Sequence, residues 1–388
     1  MPSNQALKTE PSSARPVSRW DIFCRIVDNY GDIGVCWRLA RQLTAEYGLS
    51  LRLWVDDLAV AKRLIPGLDS GLETQFIDGV EIRHWLDDFP EAEVADVVIE
   101  AFACDIPQRY LAAMVEKKPI WLNLEYLSAE PWVADFHLQP SPHPSLPLVK
   151  YFFFPGFSHN TGGLLREHGL ITVRDAFRLS KHEQSAFCER LDISDETLRV
   201  SLFCYPHAAV ADLLDSMATS PVPVLCLVTD GKLLAAISSH LGKQLSVGEK
   251  ITHGNLTLQA LPFLGQADYD RLLWLCDFNF VRGEDSWLRA IWARKPMLWQ
   301  PYRQEEDTHM IKLNAFLACY LDGLAEPARH SINKAHLDWA SGLWSAQNWP
   351  VLMAHLPILE QHATDRAARL SAEPDLAAKL VIFCKNFF

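Results

Sequence analysis

No stretch of this sequence approaches the roughly 20 consecutive apolar residues that a membrane helix needs, which excludes a membrane span. Its first 19 residues are polar and rich in Ser and Pro. They lack the apolar core of a secretory signal, so 1–19 reads as a disordered leader and the protein as cytoplasmic. The nine cysteines include no CxxC pair, and Cys24, Cys36, Cys226 and Cys276 sit inside apolar runs. They read as reduced core thiols, not a disulfide framework. Fourteen histidines show neither HExxH nor a clustered ligand spacing, so no metal site is expected. Positive charge is scarce: a formal net charge of -12 leaves no basic surface for nucleic acid.

The 388 residues exceed one ordinary core, so two domains are expected. Composition is that of a globular protein, 49% hydrophobic and 22% charged. Apolar runs alternate with helical patterns along both halves. In the first half, strands are expected at Asp21–Val27, Leu49–Val55, Val80–Trp85, Val97–Phe102 and Ile120–Tyr126. In the second they are expected at Val200–Tyr205, Val222–Val228, Leu256–Leu264, Phe278–Val281 and Met297–Tyr302. That alternation predicts α/β domains with parallel sheets. The prolines of Gln139–Pro147 exclude helix and predict an extended surface segment. The aromatic run Lys150–Phe157 reads as a core strand. The expected boundaries are 20–165 and 175–365, with 366–388 helical in pattern and packing back on the first domain.

Arg282-Gly-Glu-Asp-Ser286 lies between an apolar strand and an apolar-periodic run. It reads as a turn into a helix N-terminus, with Gly283 supplying backbone freedom. Unpaired N–H groups and the helix dipole make such a terminus an anion seat. Arg282 adds a planar fork suited to phosphate. Glu284 suits ribose hydroxyls, although Glu284, Asp285 and Ser286 equally suit a first helical turn.

Asp28-Asn-Tyr-Gly-Asp-Ile-Gly34 follows the first strand, before Val35, Leu39 and Leu43 recur at helical spacing up to Gly48. The loop is not GxGxxG. It carries two carboxylates, Asp28 and Asp32, at a carboxyl edge of the kind where open α/β sheets bind ligands. A turn residue and a helix cap remain the plainer readings of the two. Phe203, Tyr205, Phe263 and Gln266 end two later strands. They offer flat faces and an amide for a nucleotide base, or simply core aromatics.

Two α/β domains whose carboxyl edges face across a cleft form the GT-B arrangement of many nucleotide-sugar glycosyltransferases. The ordered set Asp28–Gly34, Phe203-Cys-Tyr-Pro206, Pro262-Phe-Leu-Gly-Gln266 and Arg282–Ser286 resembles the EarP family, the elongation factor P (EF-P) arginine rhamnosyltransferases. The likeness runs from about Trp20 to Phe388. It implies an inverting, metal-independent enzyme without cofactor. Such an enzyme moves L-rhamnose from dTDP-β-L-rhamnose to an arginine of EF-P, which then rescues ribosomes stalled at polyproline. By matching position, Asp32 is the general base and Asp28 orients the acceptor arginine or supports the loop, with Asn29, Tyr30, Gly31 and Gly34 forming the acceptor loop. Phe203, Tyr205, Phe263 and Gln266 hold the thymine and Glu284 the ribose. Arg282, Ser286 and the Asp285 backbone hold the diphosphate. Two other readings stay open on the residues: another GT-B transferase or epimerase with a different donor or acceptor, and a non-catalytic, nucleotide-gated binding protein.

Overall fold

The computed structural model describes residues 18–27, 30–194 and 198–387, and within them the apolar runs resolve into two sheets. The first has eight strands: β1 (Arg19–Cys24), β2 (Ser50–Val55), β3 (Thr74–Ile77), β4 (Val80–His84), β5 (Val97–Ala101), β6 (Ile120–Leu124), β7 (Pro140–Pro142) and β8 (Val149–Phe153). Their order is β3-β4-β2-β1-β5-β6-β8-β7. The second has six: β9 (Leu198–Leu202), β10 (Val224–Thr229), β11 (Lys250–His253), β12 (Leu256–Leu261), β13 (Phe278–Arg282) and β14 (Met297–Gln300). Their order is β11-β12-β10-β9-β13-β14.

Every inner pairing is parallel, for instance Ile22 with Leu53 and with Ile99. Strands covered by helices on both faces lose the polar alternation, which is why β5 and β6 are buried at every residue. Only the edges β3, β7 and β11 are antiparallel. The proline segment is extended, as its composition requires, and contributes β7 to the edge of β8. Within the aromatic run Phe153 and Phe154 are buried, while Tyr151, Phe152 and Phe157 are half-buried.

The strand orders fix where a ligand can approach. β1 has β2 on one side and β5 on the other, and β9 has β10 on one side and β13 on the other. Chain direction across the sheet reverses at those two places, which opens a crevice at the carboxyl ends of the strands. The loops after β1, β9 and β13 all emerge there.

Boundaries shift at the first of these loops. β1 ends at Cys24 and the first helix, Gly31–Tyr47, already includes Gly31, Asp32 and Gly34. Sequence alone carries the strand to Val27 and leaves 31–34 in a loop. Beyond Cys24 the backbone runs past its sheet neighbours, so the Ile26 N–H donates to Asp56 and the Val27 N–H to Asp32. The helix stops at Gly48, whose φ of +64° suits a left-handed cap. Asp28 and Asn29 lie outside the described residues.

The chain crosses between the halves twice. After β8 it runs along 154–169 to the helix Leu170–Leu179, and it returns between the helices Leu356–Ser371 and Leu376–Lys385. Pro374 breaks the helix expected over 366–388. Asp375 then caps the final helix by accepting the Ala378 N–H. The Leu376 N–H donates to Leu164 O at 3.0 Å, so the two crossings lie side by side. Gln42 Nε2 donates to both, at Arg166 O and Asp375 Oδ1. Phe383 of the final helix packs on Tyr151 and Phe153 of β8.

Candidate active site

Asp32 sits in the first turn of the Gly31–Tyr47 helix and is almost fully buried. Its Oδ2 accepts the Val27 N–H at 2.8 Å and its Oδ1 the Tyr126 hydroxyl at 3.2 Å. A buried carboxylate needs such hydrogen-bond donors in place of water. Tyr30 immediately precedes the helix. Gly34 lies one turn into it, and a methyl group there would stand 3.5 Å from Asp285 Oδ2, in ordinary contact.

In the second half, β13 ends at Arg282 and Gly283 turns the chain with φ +65°, a conformation that suits glycine. The helix Glu284–Trp292 begins at once, with Glu284, Asp285 and Ser286 in its first turn. Arg282 stacks its guanidinium on two aromatic faces, 4.5 Å from the Phe203 centroid and 4.4 Å from that of Tyr205. Neighbouring loops at the β9–β13 switch point deliver that cluster, and Phe203 N–H bonds to Phe280 O.

The remaining candidates meet the first half. Phe263 packs edge-on against Tyr30, centroids 5.3 Å apart, and carries Arg63 4.9 Å from its ring centroid. Gln266 opens the helix Gln266–Leu275 and donates its amide to Gly34 O at 3.0 Å. Its buried Oε1 has no hydrogen-bond partner. Glu284 Oε2 accepts the Leu127 N–H, in the loop after β6, at 2.9 Å. The four side chains expected at one base pocket meet different neighbours, although Phe203 also packs edge-on against Tyr269 of the helix that Gln266 opens. Phe203 and Tyr205 lie under Arg282, Phe263 lies against Tyr30, and Gln266 lies between the Gly31–Tyr47 helix and Asp285.

Asp285 belongs to an ionic network that sequence reasoning missed. Arg38 Nε lies 2.9 Å from Asp285 Oδ1, though its N–H is not aimed for a hydrogen bond. Arg38 also forks onto Asp270 at 3.0 and 3.1 Å and reaches Glu167 at 3.3 Å. Arg289 grips Asp270 from the other side at 2.6 and 2.9 Å and Glu167 at 2.6 Å. Two arginines and three carboxylates thus join the first half, the crossing segment and two helices of the second half. An Arg followed by apolar residues in a helix carries no signal of such a partner.

Burial pushes the Glu284 carboxyl up to about 8, with Asp32 and Asp285 adding to the rise while the Leu127 N–H and Lys312 oppose it. Burial also raises Asp285, and Arg38 and Arg289 pull it back. Among the described residues no group of three or more His, Cys, Asp or Glu side chains is placed to hold a metal ion. No described helix is long and apolar enough to cross a membrane. What the arrangement offers is a carboxylate near an exposed ring on one side. On the other side it offers a helix N-terminus with an arginine.

Over residues 20–385 the chain matches the profile of a family described as Elongation-Factor P (EF-P) rhamnosyltransferase EarP. It is 49% identical over 372 residues to a Pseudomonas putida protein named protein-arginine rhamnosyltransferase, spanning 95% of this chain and 98% of that one. A solved structure described as the structural basis for EarP-mediated arginine glycosylation of translation elongation factor EF-P is 38% identical. It superposes with a TM-score of 0.69 over 96% of this chain and 100% of that chain. Acinetobacter baumannii MurG shares the fold at 14% identity, with a TM-score of 0.51 over 96% of this chain and 100% of its own.

Proposed function

The chain belongs to the EarP family of EF-P rhamnosyltransferases, with the GT-B fold, and on that premise we propose that it transfers L-rhamnose from dTDP-β-L-rhamnose to an arginine side chain of EF-P. The transfer inverts the anomeric carbon, takes place in the cytoplasm and uses no metal or other cofactor. The observation that carries this reading is the meeting of Asp32 and Glu284 on either side of the Tyr126–Leu127 segment, where the carboxyl edges of the two sheets come together.

In this scheme a guanidinium nitrogen attacks the anomeric carbon as the bond to the dTDP oxygen breaks, and that oxygen keeps the electron pair. The nitrogen loses its proton to Asp32. Full deprotonation beforehand would cost about 1.4 kcal/mol per pKa unit, roughly 7 kcal/mol or more for a group with pKa above 12. The carboxylate therefore takes the proton while the N–C bond forms. Asp28 orients the acceptor arginine, with Tyr30 and the helix start at Gly31 and Gly34 on the acceptor side. A carboxylate is a weak base, so positioning and leaving-group stabilisation supply much of the rate. Arg282, Ser286 and the Asp285 backbone at the helix N-terminus take up charge on the diphosphate. Glu284 holds the ribose, and Phe203, Tyr205, Phe263 and Gln266 hold the thymine. Placing base and leaving group on opposite halves suits inversion.

The test is the intact mass of EF-P after incubation with this protein and dTDP-L-rhamnose, with and without EDTA, beside EF-P whose loop arginine is lysine. One added deoxyhexose on the arginine form alone, unaffected by EDTA, is the expected result. No gain with a confirmed active donor would overturn the reading.

A further inference from the structure

Tyr126 follows β6 at the carboxyl edge of the first sheet and is 38% exposed. Its ring lies flat on Phe102, with centroids 4.3 Å apart and planes 13° apart. Phe102 itself adopts φ +57°. A bulky side chain rarely takes that conformation unless its surroundings impose it. The ring therefore rests on a support whose backbone is constrained. Its hydroxyl donates to Asp32 Oδ1, while the Val27 N–H donates to Oδ2. The very next residue, Leu127, gives its N–H to Glu284 of the other half. Lys312, also from that half, stands 6.0 Å from the centroid of the Tyr126 ring. One dipeptide thus touches a carboxylate of each half.

We propose that Tyr126 is a positioning residue for the transfer step. Its hydroxyl sets the plane of the Asp32 carboxylate, and the Leu127–Glu284 bond makes that setting depend on the halves being together. The inference rests on Asp32 being the proton acceptor. A donor on each oxygen restricts rotation of the carboxylate about its own bond. Proton transfer is sensitive to such alignment, because small displacements from the productive geometry cost large factors in rate. Burial, with Asp32 adding to it, holds the Tyr126 phenol well above its ordinary range. The hydroxyl therefore stays a donor at neutral pH and takes no part as an acid or base. When the halves part, Leu127 loses Glu284 and the Tyr126 segment loses its outer anchor. Asp32 is then aligned in the closed cleft and less so in the open one.

Tyr126→Phe tests this, because it keeps the ring on Phe102 and removes only the hydroxyl. Steady-state transfer to EF-P and the dissociation constant for dTDP are measured for the wild type, Tyr126→Phe and Tyr126→Leu. Losing a hydrogen bond to a charged acceptor should lower kcat of Tyr126→Phe roughly 10- to 100-fold. The dTDP dissociation constant should stay at the wild-type value, and the thermal midpoint should fall by no more than a few degrees. Tyr126→Leu should lose at least as much kcat. A merely structural tyrosine would give the opposite pattern, with kcat of Tyr126→Phe within about threefold of wild type and stability lost only in Tyr126→Leu. That pattern overturns the proposal. So does a fall in kcat matched by weaker dTDP binding, which would place Tyr126 in the donor site. No transfer by the wild type would overturn the rhamnosyltransferase reading and this proposal with it. Transfer by the wild type and equally by Tyr126→Phe overturns this one alone.

Discussion

Glu284 and Leu127 belong to opposite halves of the molecule, and the carboxylate of one accepts the backbone N–H of the other at 2.9 Å. The group assigned to the ribose is therefore also a link between the two sheets. Its carboxyl titrates at about 8 in the assembled protein, against an ordinary 4.5. A carboxyl with a raised pKa binds its proton more tightly in the folded state. Stability from this group is thus full at low pH and declines as pH rises from about 4.5 to about 8. The thermal midpoint of the wild type should fall relative to Glu284→Gln between about pH 5 and pH 8. Parallel curves for the two proteins would show that Glu284 titrates normally.

Asp32→Asn should lose roughly 10²–10⁴ of turnover, the usual cost of removing a general base. Its affinity for dTDP, read by calorimetry, should not change. Turnover within about tenfold of wild type would end the assignment of Asp32 as base.

Phe263 meets Tyr30 and Arg63 across the cleft. Phe263→Ala should weaken dTDP binding by about 1–3 kcal/mol, the range for bases stacked on aromatic rings. An unchanged dissociation constant would take Phe263 out of the nucleotide site and leave it as an interdomain contact.

Arg38→Met should be costly because it leaves Asp270, Asp285 and Glu167 facing Arg289 in a buried network. The expected loss is about 3–5 kcal/mol in urea unfolding, the range for breaking a buried pair. Arg38→Lys should restore little, since one ammonium cannot reproduce the fork onto Asp270. A Lys variant as stable as wild type would mean that charge alone, and not geometry, holds the network.

What the sequence made legible was local. β1, β5 and β13 are runs of apolar residues with few interruptions, and Gly283 announces its turn because side chains avoid that backbone angle. The edge strands β3, β7 and β11 escaped because three or four residues are too few for a period-two pattern, and prolines flank Ser141. The first helix begins earlier than expected because Gly31 and Gly34 look like loop residues, yet Gly34 lies where another helix approaches. Partners across the cleft could not be read at all. Arg38 and Asp270 stand 232 positions apart, and the Leu127 contact uses a backbone N–H that every residue but proline shares. Tyr126 looked like the last residue of a strand until its hydroxyl was found on Asp32.

The paired crossings at Leu164–Glu167 and Ser371–Leu376 are held together by the Leu376 N–H and by Gln42. Two tethers side by side constrain motion far more than one. A single linker would let the halves spin and drift like beads on a string. A doubled one behaves as a hinge pin, which permits a swing about one line and resists twisting around it. Each swing would then return Glu284 to the same Leu127, and the second half would meet the first in one repeatable register.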